Sequence, residues 1–204
     1  LVNTIPLTSV ASEIEYDIDD DNMYIATVDE LFAIDTITYN TIDTYTPGFG
    51  LYYNETDGKI YGYDSGSLFS VNSPKVILPI PVTSFVSITE NTILNTTYAS
   101  TDDGILYEVD AGGNLTKTIN LNNYGYIIFN PYDQFLYIAV QTGTPEVIIY
   151  DPINDTTVGT TPLLDYGSGI TFNSDRNSIY VTITGISTAT EIVSQVVSAQ
   201  INDL

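Results

Sequence analysis

Short segments rich in Tyr, Thr, Ile and Val alternate along the chain with polar turns that contain Asp or Asn. One pattern recurs: an aromatic residue, an Asx residue, a polar turn and a closing Tyr eight positions after the aromatic residue. An Asx turn between two extended segments predicts a β-hairpin in every copy. The copies are YDIDDDNMY (16–24), YNETDGKIY (53–61), the degraded ENTILNTTY (90–98), FNPYDQFLY (129–137) and FNSDRNSIY (172–180).

A second motif follows each of the first four copies at nearly the same offset. It is an apolar pair that ends in an Asx residue, before a polar turn and another Thr-rich extended run. Each unit therefore predicts four consecutive strands. The motif occurs as LFAID (31–35), LFSVN (68–72), LYEVD (106–110) and VIIYD (147–151), and EIVSQVV (191–197) takes its place in the last unit.

The repeat period predicts the architecture. The closing tyrosines are Tyr24, Tyr61, Tyr98, Tyr137 and Tyr180, at spacings of 37, 37, 39 and 43 residues. A four-stranded unit of about 40 residues cannot bury both faces alone, and repetition at this period is typical of β-propeller blades. We predict an all-β fold, a single five-bladed β-propeller of four-stranded antiparallel blades. Its approximate repeats are 12–47, 48–83, 84–121, 122–164 and 165–204, with 1–11 completing the last.

The two ends of the chain predict how the ring closes. The fifth unit lacks a clear last strand, while NTIPLTS (3–9) resembles the fourth-strand runs of earlier units. We expect this N-terminal strand to pair with the last blade, which leaves no long sheet edge open. The segment TATEIVSQVVSAQIN (188–202) carries apolar residues at helical spacing, but Val and Ile are poor helix formers, so a strand is preferred.

The repeats resemble a known family, and the resemblance spans all five units. LYEVDAGGNLTKTINL (106–121) and FNPYDQFLYIAV (129–140) are similar to the YVTN-type propeller repeats of surface-layer proteins, with their strand, turn and strand. The resemblance implies the propeller fold and an extracellular setting. Some larger propellers of related appearance are lactonases with calcium in the central channel. Their ligand set and histidines have no matching motif here, so no site residue is carried over.

The amino-acid composition excludes several kinds of partner and catalytic group and indicates the environment of the protein. The 204 residues include 26 acidic and only 4 basic side chains, for a formal charge of −22, with no Cys and no His. This charge repels nucleic acid and anionic lipid. The missing Cys and His remove thiolate metal sites and most general bases. Uncharged polar residues keep a chain soluble where carboxyls are protonated, which predicts an acidic exterior and an acid-dwelling microbe, such as an archaeon, or its virus.

No apolar run is long enough to cross a membrane, because KVILPIPV (75–82) is short and contains two prolines. The chain begins at Leu1 without a charged leader, so we expect a processed mature form or an excised domain. Four glycosylation sequons are candidates for modification in an extracellular setting, at Asn54, Asn95, Asn114 and Asn154.

The stretch SEIEYDIDDDNMYIAT (12–27) has a carboxylate at every second position: Glu13, Glu15, Asp17, Asp19 and Asp21. Alternation in a strand places the first three on one face. Asp17-x-Asp19-x-Asp21 copies the first half of a calcium loop, but Asn22 and Val28 stand where that loop has Gly and Glu. The two open interpretations are a calcium site and a solvated acidic hairpin.

A hydrolase is the catalytic alternative for these carboxylates. Some five-bladed propellers are glycosidases, which need two carboxyl groups across the scissile bond. Glu13, Glu15 and Asp17 are the candidates, yet the first strands expected in later units carry no acid: GLYYN (50–54), FVSIT (85–89), YIIFN (126–130) and GITFN (169–173). Four tyrosines are candidates to stack on a sugar or to pack between blades: Tyr52, Tyr53, Tyr61 and Tyr63.

The function expected from the sequence is therefore non-catalytic and needs no cofactor, apart from the calcium alternative. We expect an extracellular propeller on a cell or virion surface, which acts as an adhesion or structural display module. Its partners would be other envelope or virion proteins or cell-surface glycans, and not nucleic acid. The alternative is a carbohydrate-active hydrolase that uses the acids of the first blade.

Overall fold

The structure is a computed structural model, and it describes ten segments of the chain. Side chains are described throughout most of them, whereas several strands of the second sheet and the last strand are described chiefly by their backbone. The segments are 5–7, 9–18, 21–27, 29–45, 50–54, 59–63, 68–70, 76–77, 85–184 and 189–193.

Every described strand belongs to one of five antiparallel sheets, in which consecutive strands pair. The first sheet holds β1 (Ala11–Asp17), β2 (Asn22–Thr27), β3 (Leu31–Asp35) and β4 (Thr41–Tyr45); the second holds β5 (Gly50–Asn54), β6 (Lys59–Tyr63), β7 (Leu68–Ser70) and β8 (Val76–Ile77). The third holds β9 (Phe85–Asn91), β10 (Thr96–Thr101), β11 (Ile105–Asp110) and β12 (Leu115–Asn120). The fourth holds β13 (Gly125–Asn130), β14 (Phe135–Val140), β15 (Glu146–Asp151) and β16 (Thr156–Pro162), and the fifth holds β17 (Gly167–Asn173), β18 (Ser178–Ile183) and β19 (Ala189–Val193).

The all-β class predicted from the sequence is confirmed, and the four-stranded antiparallel unit is confirmed in four of the five sheets. None of the residues that the structure describes is helical. The strand preferred within 188–202 is present as β19, and the rest of that segment lies outside the described residues.

The hairpin between the first two strands of a sheet is built by an Asx side chain and a left-handed residue. In the third sheet the Asn91 Oδ1 accepts hydrogen bonds from the backbone N–H groups of Ile93 and Leu94, both at 3.1 Å. Asn95 then adopts φ +52° directly before β10. Asx residues favour both conformations, so the turn chemistry determines where each second strand begins. Left-handed residues occupy the same place in three other sheets, at Asp21, Gln134 and Asn177.

Successive sheets pack through one repeated contact, which we call the Tyr–aliphatic contact. The closing Tyr of one sheet lies in the same core cluster as an aliphatic residue on the first strand of the next sheet. These tyrosines are at most 4% exposed although each has a polar hydroxyl. The pairs are Tyr24 with Leu51, Tyr61 with Ile88, Tyr98 with Ile127, and Tyr137 with Ile170.

The sheets follow one another in chain order, with their first strands as neighbours. β1 contacts β5, β5 contacts β9, β9 contacts β13, and β13 contacts β17. The largest cluster lies between the third and fourth sheets and includes Tyr98, Leu106, Ile127 and Leu136. The core is therefore a series of layers between neighbouring sheets.

The predicted closure through the N-terminal strand is not found among the described residues. The described part of 3–9 is not a strand, and the last sheet holds three strands there. Ile5 and Leu7 instead pack against the cluster of Ile25 and its neighbours on the first sheet. The residue between them is Pro6, which has no N–H to donate to a sheet ladder.

No helix in the described part of the chain has the length and apolar character needed to span a bilayer.

Two strand glycines provide a test of how closely the backbones of paired strands approach within the fourth sheet. A Cβ built on Gly125 lies 2.1 Å from the backbone oxygen of Ala139, whereas a Cβ on Gly159 meets nothing within 4 Å. We expect Gly125→Ala to lower the free energy of unfolding by about 3 kcal/mol or more, because the clash is with backbone that cannot rotate away. Gly159→Ala is the matched control and should change it by less than about 1 kcal/mol. Urea denaturation measures both, and equal effects would contradict the packing described.

Candidate functional site

The acidic face is the set of carboxylates on one side of β1: Glu13, Glu15 and Asp17. Glu13 pairs with Ala26 and Glu15 with Tyr24 across the β1–β2 ladder. Directly opposed residues share a face of the sheet. Tyr24 and Ala26 belong to the cluster with Leu51 of the second sheet, so the acidic face lies toward that sheet.

One of these carboxylates joins two sheets. The Glu13 Oε2 accepts a hydrogen bond from the backbone N–H of Leu51 at 2.5 Å. Leu51 is buried, and a buried N–H group requires an acceptor. Glu13 therefore supplies the partner that a neighbouring strand would supply within a continuous sheet.

The same junction recurs between the third and fourth sheets with hydroxyl acceptors. The Ser87 Oγ accepts the backbone N–H of Ile127 at 3.2 Å, and the Thr89 Oγ1 accepts that of Phe129 at 3.1 Å. Glu13 and Ser87 occupy equivalent positions, each four residues before the Asx residue that begins the first hairpin turn of its sheet. Their partners Leu51 and Ile127 are also equivalent, each three residues before that Asx residue. This recurrence assigns Glu13 a structural role, because Ser87 accepts the equivalent backbone hydrogen bond between the third and fourth sheets.

Burial raises the pKa of Glu13, and the hydrogen bond from Leu51 opposes part of that increase. The side chain as a whole is exposed, but its carboxyl end lies against the second sheet. Burial also raises the pKa of Glu15, and the charge of Glu13 adds to this effect. A folded pKa above the unfolded value favours the fold at low pH, and this stabilisation is lost as the pH rises through the folded pKa.

The predicted calcium residues have different surroundings. Asp17 is fully buried, whereas Asp21 lies in the exposed turn, and Asp19 lies outside the described residues. The Asp21 Oδ1 accepts hydrogen bonds from the Tyr16 hydroxyl at 2.6 Å and the Thr36 hydroxyl at 2.9 Å. In the part of the chain that is described, no group of three or more acidic side chains is arranged to hold a metal ion. Calcium binding by Asp17, Asp19 and Asp21 stays a prediction.

Other turn carboxylates are stabilised in their charged form. Hydrogen bonds from the Thr38 and Ile37 backbone lower the pKa of Asp35, and the hydroxyls of Tyr16 and Thr36 lower that of Asp21. Their contribution to stability is present above the unfolded pKa and is lost as the pH falls through the folded value. The stability contributed by Asp21 and Asp35 and that contributed by Glu13 and Glu15 therefore respond to acid with opposite signs.

The structure adds one carboxylate that the sequence reasoning missed. The first strand of the third sheet extends past the predicted FVSIT (85–89) to Asn91 and includes Glu90, which is 5% exposed. The expectation that later first strands carry no acid is therefore wrong. The repeat alignment could have identified Glu90 as a strand residue, because it occupies the position of Tyr16, Phe129 and Phe172 in other units.

Of the four candidate sugar-stacking tyrosines, the structure describes the side chain of one. Tyr61 is buried in the core cluster between the second and third sheets, so it packs and does not face a ligand. The side chains of Tyr52, Tyr53, Tyr63 and Asn54 lie outside the described residues.

The three described sequon asparagines lie in turns. The Asn114 Nδ2 donates to both carboxylate oxygens of Asp110 at 3.1 Å, and the Asn154 Nδ2 donates to Asp151 at 2.7 Å. Asn95 occupies the left-handed position described above. Glycosylation at these sites stays a prediction.

No protein-family model matches the chain, and a search of curated proteins gave no match.

Variants of Glu13 separate its hydrogen bond from its charge. We expect Glu13→Ala to cost about 1–3 kcal/mol of unfolding free energy, because the buried Leu51 N–H loses its acceptor. Glu13→Gln keeps an acceptor oxygen and removes the buried charge. It should therefore be at least as stable as the wild type at pH 7, and its advantage should vanish below the ordinary glutamate pKa of 4.5.

Urea denaturation at pH 7 and pH 4 measures these differences. Glu146→Gln on β15 is the matched control for the loss of one negative charge, and it should not reproduce the pH dependence. A Glu13→Ala variant as stable as the wild type would show that the bridge to Leu51 contributes nothing.

Proposed function

We propose that the five sheets close into a five-bladed β-propeller that serves as a non-catalytic display module on a cell or virion surface. In this proposal the protein works in an acidic exterior, and the loops of the ring meet envelope proteins or cell-surface glycans. The YVTN-type surface-layer repeats provide the analogy for such a setting, and the analogy concerns fold and habitat only.

The observation that supports the ring is the Tyr–aliphatic contact together with the greater exposure of the equivalent residues in the first and last sheets. Four closing tyrosines are buried, but Tyr180 of the last sheet is only half-buried. Four first strands bring an aliphatic residue into the preceding sheet's cluster, but the equivalent Ile14 of β1 is 59% exposed. Closure would bring Tyr180 and Ile14 together as a fifth copy of the contact and would cover the exposed apolar face of β1.

The non-catalytic part of the proposal is supported by the acidic face. Glu13 is engaged by the backbone of the next sheet, in a position where the third sheet uses a Ser. The outer strand β16, TTVGTTP, offers instead an uncharged polar surface, most of which is exposed. A rigid scaffold with such a surface is suited to holding loops for recognition.

The hydrolase alternative retains one favourable observation. The raised pKa of Glu13 and Glu15 is the property that a general acid requires. The buried Glu90 adds a carboxylate on a second first strand.

Cysteine cross-linking tests the ring, because the natural chain contains no Cys. In Ile14→Cys/Tyr180→Cys we expect a short bismaleimide to form an intramolecular cross-link, seen as faster migration in a denaturing gel. Ile14→Cys/Ile153→Cys is the control, since Ile153 is exposed in the turn after β15 and should not reach β1. Cross-links formed only between molecules would overturn the ring and indicate an open series that assembles head to tail.

A glycan array and an envelope-protein pull-down at pH 3 and pH 7, together with assays on oligosaccharide substrates, test the function. We expect binding without hydrolysis, unchanged in Glu13→Gln/Glu15→Gln/Asp17→Asn. The last of these changes is mild because Asn91, Asn130 and Asn173 occupy the equivalent position. Sugar hydrolysis that disappears in the triple variant would establish the alternative, and silence in every binding assay would overturn recognition.

A further inference from the structure

A cleft of about 380 Å³ lies between the third and fourth sheets, away from the acidic face. One wall is the end of β12 and the residues after it, and the other is formed by β15, β16 and the turn between them. Its volume falls within the range of small-molecule sites. Lys117 of the third sheet donates from Nζ to the Pro152 carbonyl of the fourth at 2.9 Å, which ties the two walls together.

The floor of the cleft is part of the largest core cluster. Ile119, Ile148 and Tyr150 are each at most 7% exposed, and Leu121 packs against the same cluster. The floor is therefore rigid, because these side chains are held by both sheets, and the polar rim supplies most of the surface that a ligand could contact.

The rim of the cleft is polar and is held in place locally. The backbone N–H of Asn122 donates to Asn120 Oδ1 at 2.9 Å, and Asn122 adopts φ +61°. Asp155 adopts φ +59° and accepts a hydrogen bond from the Tyr150 hydroxyl. Five rim residues supply hydroxyls, amides and one carboxylate: Thr118, Asn120, Asn122, Asp155 and Thr157.

This chemistry selects a ligand class. No basic side chain is among the described residues that line the cleft, and the chain's charge of −22 disfavours anions. Hydroxyl, amide and carboxylate groups around a rigid floor match an uncharged molecule that has many hydroxyl groups. A neutral saccharide has this property.

We propose that this cleft is a binding site for a neutral mono- or disaccharide unit of a glycan. The inference deepens the proposed function, on which it rests for the presence of glycans around the protein. It does not depend on ring closure, because both walls belong to adjacent sheets in the middle of the chain.

Two variants remove rim groups without disturbing the backbone. Asn122→Gly is compatible with a positive φ, and Thr157→Val replaces a hydroxyl by a methyl group on an exposed strand position. The matched controls are Asn95→Gly, at a positive φ in the first hairpin of the third sheet, and Thr161→Val, on the same strand as Thr157 but outside the cleft lining. Circular dichroism and urea denaturation verify that all four variants fold.

Saturation-transfer difference NMR against neutral mono- and disaccharides at millimolar concentration identifies a binding sugar, and titration gives its Kd. We expect each cleft variant to weaken that sugar by about 3- to 10-fold, as the loss of one or two hydrogen bonds predicts, and the controls to leave Kd unchanged. Asp155→Asn keeps the shape of the turn and should also weaken binding.

The outcomes separate this inference from the proposed function. Equal affinity in the wild type and the cleft variants would refute the cleft as the saccharide-binding site. Sugar binding at another site would still be consistent with the proposed display function. No binding of any neutral sugar would also overturn the cleft, and the envelope-protein pull-down would then decide the display function alone. Preference for charged sugars over neutral ones would refute the assigned ligand class.

Discussion

Each sheet of this protein depends on its neighbour to cover an apolar face, and the Tyr–aliphatic contact is the interaction that provides the cover. A three- or four-stranded sheet has too little interior to be stable alone. The closing tyrosine places a large ring in the layer between two sheets, and the aliphatic residue of the next first strand packs in the same layer. This layered packing positions the acidic face and the two walls of the cleft, whereas the hairpin turns are set by local Asx side chains.

The chain stabilises its carboxylates mainly with neutral donors. With 26 acids and 4 bases it cannot match each carboxylate to a cation. Tyrosine hydroxyls donate to Asp21, Glu108 and Asp133, and backbone N–H groups donate to Asp35 and Asp110. Hydrogen bonds of this kind are screened by salt less than surface ion pairs are, and the donors keep their protons in acid. The carboxylates themselves remain titratable, so the response to acid depends on where each one is placed.

Much of the fold could be predicted from the sequence because the repeat is carried by local chemistry. An Asx residue such as Asn91 and a tyrosine such as Tyr98 act within their own hairpin, and spacing alone reveals them. The partner of Glu13 could not be predicted, because Leu51 lies 38 residues away and the bridge depends on how two sheets pack. The contact of Ile5 and Leu7 with the first sheet could not be predicted for a similar reason, since a strand-like sequence does not indicate which apolar surface it packs against. The cleft has no sequence signal at all, because its walls belong to different repeats.

The order of the layers has a consequence for how the molecule comes apart. Because each described sheet contacts mainly its neighbours in the chain, cooperativity is close to that of a one-dimensional array, in which the loss of one unit weakens only the next. Among the described residues the largest apolar cluster lies between the third and fourth sheets. In an open series of sheets partial unfolding would proceed inward from the termini, whereas the proposed ring would give the first and last sheets a neighbour on both sides and leave no end from which unfolding could start.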